Sequence, residues 1–229
     1  VDIVKYDVYR GPNIGIYTSV NDSFVFIPNG FTRTKAEALA KHLGVEYKNI
    51  SVGNTRVIGA LMIVNNRGLL LPRTAYPDEI EFLEKNTGLN VEVLETRHNA
   101  LGNMMSVNDR GAIVSPLIEK ENLKKIEQAL GVEVIQRRVA GYNQVGAMVR
   151  ANSEGGIVHP ETDEEDVKTF SNVLGVNLEP ATINAGVPFV ASGTLVNNKT
   201  VVVGSFTTGP EIMMLTRAFV NQKPNGDHR

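Results

Sequence analysis

The sequence has no cysteine and no tryptophan among its 229 residues. Without cysteine there are no disulfides, no thiolate metal sites and no thiolate nucleophiles. Histidine is scarce as well: only His42, His98, His159 and His228 occur, which argues against a His-rich metal site. Charge of one sign is also lacking, since 23 Lys and Arg stand against 25 Asp and Glu, a net of −2. Proteins that live on phosphate contacts usually carry a large basic excess, so any nucleic-acid contact here must be local. Apolar runs such as Gly59 to Val64 are far too short to cross a bilayer. The first ten residues, with two acids and two bases, do not read as a secretory leader, so the expected location is the cytoplasm with no membrane partner.

What is present is an ordinary globular composition, 42% apolar and 21% charged, over a length that suits one or two domains. The strongest signal is internal repetition. Pro28, Pro72, Pro116 and Pro160 recur every 44 residues. Gly44, Gly88, Gly131 and Gly175 recur at 44, 43 and 44. Gly15, Gly59, Gly102 and Gly146 follow the same intervals, with Ala191 in the fifth place. So do Asn21, Asn65, Asn108, Asn152 and Asn197. Five such units account for nearly the whole chain.

Within a unit the residues specify element types. The stretch from Val57 through Asn65 to Pro72 reads as a strand, an Asn-centred hairpin turn, a second strand and a Pro stop. A helical stripe follows, as in Ala36, Leu39, Ala40 and Leu43. Acids crowd the helix starts (Asp78-Glu79, Asp163-Glu164-Glu165), where the helix dipole favours them. The glycines at 44, 88, 131 and 175 suit left-handed C-caps. A third strand such as Val91 to Leu94 completes each unit as strand-strand-helix-strand. The fifth unit lacks its last strand, while Val1 to Arg10 supplies a spare one at the other terminus.

The expected architecture is therefore a closed five-bladed α/β ring, sealed by the N-terminal strand. A single ring domain spans 1–220, with repeats at about 13–56, 57–99, 100–143, 144–188 and 189–220 plus 1–12. Residues 221–229, polar with Pro and Gly, read as a loose tail. WD40 blades have a similar period but no helix, and HEAT or armadillo repeats have no strands like Val201-Val202-Val203.

Nearly the whole chain resembles the translation initiation factor six family of ribosomal anti-association factors. The resemblance is carried by Ile58-Gly59 with Asn66 to Pro72, by Ala100-Leu101-Gly102-Asn103 with Asn108-Asp109, and by Gly155 to Pro160. It implies the pentein fold and, from the short C-terminus, the archaeal branch. It also implies binding to the large (50S) ribosomal subunit, through large-subunit ribosomal protein fourteen, with ribosomal protein twenty-four-e and the sarcin-ricin loop of the large rRNA nearby. Bound there, such a factor sterically excludes the small (30S) subunit, and it has a role in large-subunit biogenesis. No cofactor and no catalytic residue is implied.

Matching the family's ribosome-facing positions singles out Gly15, Ile58, Gly59, Ala60, Gly102, Asn103 and Met148. Asn103 stands out because its repeat counterparts are Ile16, Ala60, Ala147 and Ser192. Arg67 and Arg110, beside the hairpin glycines, are candidates for rRNA phosphate. Each has a plainer reading: glycines for close packing, Asn103 as a local cap, the arginines as solvated turn residues, His159 as a packed loop residue. The Arg137-Arg138 pair reads as a wet strand face, and the tandem Met104-Met105 and Met213-Met214 as core or edge packing. Other penteins modify guanidines through a Cys nucleophile, chemistry that a cysteine-free chain cannot run in that form. A scaffold for some other partner is the remaining alternative. A ring without a spare edge suggests a monomer.

Overall fold

The computed structural model describes residues 1–220; the tail expected at 221–229 lies outside the described residues. The described residues form a mixed α/β structure with five three-stranded sheets. In each sheet the middle strand is the most apolar. Gly68–Pro72 is buried along its whole length, antiparallel to Ile63–Val64 on one side and parallel to Asn90–Leu94 on the other. A strand buried on both faces tolerates a continuous apolar run, which is why Leu69-Leu70-Leu71 does not alternate. In the fifth sheet the parallel partner of Thr200–Val203 is Asp2–Lys5, so the first and last strands of the described residues share one sheet.

One 11-residue helix belongs to each unit: Arg33–Leu43, Pro77–Thr87, Lys120–Leu130, Glu164–Leu174 and Gly209–Phe219. The predicted stripe Ala36, Leu39, Ala40 and Leu43 is buried, and a fully buried Leu contributes about 2 kcal/mol of transfer free energy. The first four helices end on Gly44, Gly88, Gly131 and Gly175, each left-handed with φ between 63° and 66°.

The core is divided among the junctions between neighbouring units. Phe26 packs with Leu69 and Leu83, Leu70 with Ile126, Ile113 with Phe170, and Ile157 with Val201 and Leu215. The fifth cluster joins Leu195 and Val202 of the last unit to Ile14 and Leu39 of the first. Hydrogen bonds follow the same circuit. The buried side-chain amide of Asn21 donates to Asn65 O (3.0 Å), Asn65 to Asn108 O (3.3 Å), Asn108 to Asn152 O (3.0 Å) and Asn152 to Asn197 O (3.0 Å). Asn197 returns to Asn21 O at 3.4 Å.

Several expectations need correction. The first strand of each hairpin is shorter than expected, because its N-terminal half is a single helical turn: Ile14–Tyr17, Ile58–Leu61, Leu101–Met104 and Val145–Met148. Four residues are too few to show a 3.6 period in the sequence. In the fifth unit, too, the first strand of the hairpin is short, running only from Thr194 to Val196. Arg137 is not simply wetted; it forms an ion pair with Asp166 at the start of Glu164–Leu174. Met213 is 71% exposed, so it packs in no core.

The helix-start acids do more than complement a dipole. Glu79 accepts from Ser51 Oγ (2.7 Å), Gly53 N (2.8 Å), Asn54 N (3.0 Å) and Tyr76 N (2.8 Å). It thereby pins a turn in which Gly53 and Asn54 are left-handed. Glu211 does the same for Ala185 and Gly186, with Thr182 and Thr208 as further donors. Burial pushes both carboxyls up, but the donated hydrogen bonds outweigh it and hold both below the usual 4.5. Glu119 is drawn to about 2, first by the Thr96 hydroxyl. A carboxyl lowered by folding adds stability that is whole above its unfolded pKa and fades as pH falls toward its folded one. The urea midpoint should therefore hold between pH 7 and 5 and fall steadily from about pH 4.5 downward. Glu79→Gln and Glu211→Gln should each lower the midpoint at pH 7 and flatten that acid slope; an unchanged slope in both would refute the assignment.

Candidate functional site

The four helical turns pack against one another in chain order, and glycine makes that possible. A Cβ on Gly59 would overlap the carbonyl oxygen of Gly15; one on Gly102 would overlap that of Gly59, and one on Gly146 that of Gly102. The fifth unit joins through Ala191 N to Ala147 O (3.1 Å) and Gly15 N to Ser192 O (2.9 Å). These are backbone-to-backbone approaches, and backbone has nowhere to move, so the plainer reading of Gly15, Gly59 and Gly102 as packing residues has a direct physical cause.

The same contact brings together one residue from each unit just after these glycines. Ile16, Ala60, Asn103, Ala147 and Ser192 line a depression of about 140 Å³ at this end. All five are half-buried. Three are apolar, two are neutral and polar, and no acid lines the depression. The Asn103 side chain makes no hydrogen bond among the described residues, and it caps nothing: Ala100 occupies the N-cap of its turn, with no side-chain bond. Its amide therefore faces the depression with its hydrogen-bonding capacity unspent. Arg150, from Val149–Ala151, reaches the bottom of the depression, where its Nη2 donates to Ala191 O at 3.3 Å.

Two of the expected contact residues cannot present a side chain. Ile58 is fully buried in the junction core of the first two units, and Met148 is 1% exposed in that of the third and fourth. Ile58 stands two residues before Ala60 and Met148 one after Ala147, and a helix sends neighbouring positions to different faces. A polar group at Ile58 would disrupt packing before it reported on any partner.

Arg67 and Arg110 lie beyond the short strands, at the hairpin turns. Both are exposed, and each is committed to a neighbouring unit: Arg67 Nη1 donates to Asp109 O (3.0 Å) and to Gly131 O, and Arg110 Nη1 donates to Gly175 O. Lys199 makes the equivalent bond to Gly44 O at 3.0 Å. These cations cap the carbonyl ends of helices, where the dipole is negative. His159 is 3% exposed, packed beside Tyr142 and Phe189, and burial lowers its pKa. Among the described residues no group of acids and histidines could hold a metal ion, and no helix is long and apolar enough to cross a membrane.

Sequence comparison places these features among known proteins. A model of the eIF-6 family matches residues 3–218. A translation initiation factor 6 from Cenarchaeum symbiosum is 65% identical, covering 96% of this chain and 99% of the relative. One from Nitrosopumilus maritimus is 62% identical, covering 96% of this chain and all of the relative. One from Pyrococcus furiosus is 42% identical over 94% of this chain and 97% of its own. Among solved structures, a DDAH from Pseudomonas aeruginosa complexed with citrulline superposes with a TM-score of 0.51 at 13% identity, covering 95% of this chain and 88% of that one. That likeness is one of fold alone.

Proposed function

Because the chain belongs to the eIF-6 family, we propose that it acts as a ribosomal anti-association factor. It binds the large subunit and occupies surface that the small subunit needs. The full-length match to translation initiation factors 6 of archaea carries this reading. We read the junction cores and the returning Asn197 bond as a closed five-bladed ring, supported by the shared sheet of Asp2–Lys5 and Thr200–Val203. A closed ring of five small sheets leaves only short strand edges, which suits a monomeric wedge.

Large-subunit ribosomal protein fourteen is the proposed partner at the depression lined by Ala60 and Asn103. A neutral, concave, partly apolar surface suits protein better than phosphate. Ribosomal protein twenty-four-e and the sarcin-ricin loop are proposed neighbours, with Arg67 and Arg110 as sites where rRNA phosphate meets guanidinium nitrogens left free by their capping bonds. Action in the cytoplasm, and a part in large-subunit maturation, follow from the partner. Catalysis on a guanidine is disfavoured because the inner lining carries a cation and no carboxylate to receive one.

Sedimentation of purified archaeal subunits tests the reading. The protein should travel with 50S particles alone and reduce the 70S peak as its concentration rises past its dissociation constant. A protein–protein contact predicts a shallow salt dependence, and an rRNA-dominated one a steep loss of affinity. Co-migration with 30S particles, or undiminished 70S formation, would overturn the proposal.

A further inference from the structure

The depression continues inward to a smaller cavity, lined by Thr18, Ser19, Gly59, Gly102 and Arg150 with apolar neighbours. Arg150 is half-buried and lines both spaces. Its guanidinium is poorly compensated. Nη2 has the one long bond to Ala191 O, and Nε is shielded without a partner. No carboxylate lines either space. Burial lowers its pKa only to about 10, so it remains charged at neutral pH. Holding a charge partly out of water without a counter-charge is costly, and such a charge is ordinarily relieved by pairing. Nothing in the repeat demands this residue, since its counterparts are Ser19, Ile63, Ser106 and Leu195.

We propose that Arg150 is the recognition group of a small-oxyanion site at the base of the depression, with the Ser19 hydroxyl and the Asn103 amide as neutral donors. Neither of those side chains is used within the described residues. The room available, about 140 Å³, is below the roughly 300–1,000 Å³ that encloses larger ligands, so the ligand is a single carboxylate or phosphate group, not a nucleotide. That group comes either from free solution or from an acidic side chain of the docked protein. The second source rests on the proposed function; the first does not.

Two arms separate the sources. In the first, thermal unfolding is followed while inorganic phosphate or acetate replaces chloride at constant ionic strength. A site that binds only the folded state raises the midpoint with ligand concentration. The wild type should show this rise and Arg150→Gln should lose it. Arg150→Met, without added anion, should melt no lower than wild type, which separates lost binding from lost folding. In the second arm, Arg150→Gln is titrated against 50S subunits. A tenfold or larger loss assigns the oxyanion to the docked partner; wild-type affinity with a lost phosphate response assigns it to solution. If Arg150→Gln matches wild type in both arms, the site does not exist, and any anion response is that of an adventitious ion only. Should the wild type fail to bind 50S subunits, the proposed function falls while the first arm still decides this one.

Discussion

Asn197→Ala should destabilise the protein by about 3 kcal/mol, as much as Asn65→Ala. Both side chains are at least 95% buried and make the same four bonds. Asn65 accepts from the amides of Arg67 (3.0 Å) and Gly68 (2.9 Å), and donates to Asn108 O and Leu130 O. Asn197 accepts from Lys199 (3.0 Å) and Thr200 (2.9 Å), and donates to Asn21 O and Leu43 O (3.0 Å). Removing the amide strands buried backbone groups at a hairpin turn and at a helix end; each unsatisfied group costs about 1–3 kcal/mol before relaxation. The equality is what makes the pair informative. In an open array of repeats a terminal junction frays and its bonds count for less than interior ones. In a sealed ring the fifth-to-first junction is as interior as any other. Urea unfolding of both variants decides it: a cost below about 1 kcal/mol for Asn197→Ala beside about 3 for Asn65→Ala would mean the ends are not locked.

Much of this was legible because it repeats. Five copies of a 44-residue pattern make the middle strands, the helical stripes and the C-cap glycines visible, and a missing strand at one end with a spare at the other gives their pairing. What the repeat conceals is the inter-unit bonding. The recurrent Asn reads locally as a turn residue, and its acceptor turn does use Oδ1 that way; its amide, pointing into the next unit, leaves no trace in spacing. The helical turns are too short to leave a helical period in the sequence. Glu79 and Glu211 were legible as helix-start acids but not as clamps, because their donors lie some 25 residues back in left-handed turns. Ile58 points into the core rather than outward; spacing places a residue near an interface without fixing which way its side chain points. Arg150 had the same signal as Asn103, a polar or charged residue where sister units have small or apolar ones.

Asn103→Ala should lower affinity for the 50S subunit by about 1–3 kcal/mol, roughly 5- to 150-fold, while leaving the urea midpoint within about 0.5 kcal/mol of wild type. The two halves of this expectation have separate causes. Stability is untouched because the side chain makes no hydrogen bond and is only half-buried, and alanine is the better helix former on Leu101–Met104. Binding suffers because the amide stands among Ile16, Ala60, Ala147 and Ser192 in a concave patch, where a partner's polar group would be desolvated on docking and left unpaired. Glu84→Ala, on the exposed face of Pro77–Thr87, is the matched control and should bind as wild type. Asn103→Asp sharpens the test by keeping the shape and adding a charge next to Arg150. If Arg150 receives a carboxylate from the docked protein, the introduced acid competes for the guanidinium and Asn103→Asp should bind more weakly than Asn103→Ala. Wild-type affinity in both variants would move the interface to another face of the protein.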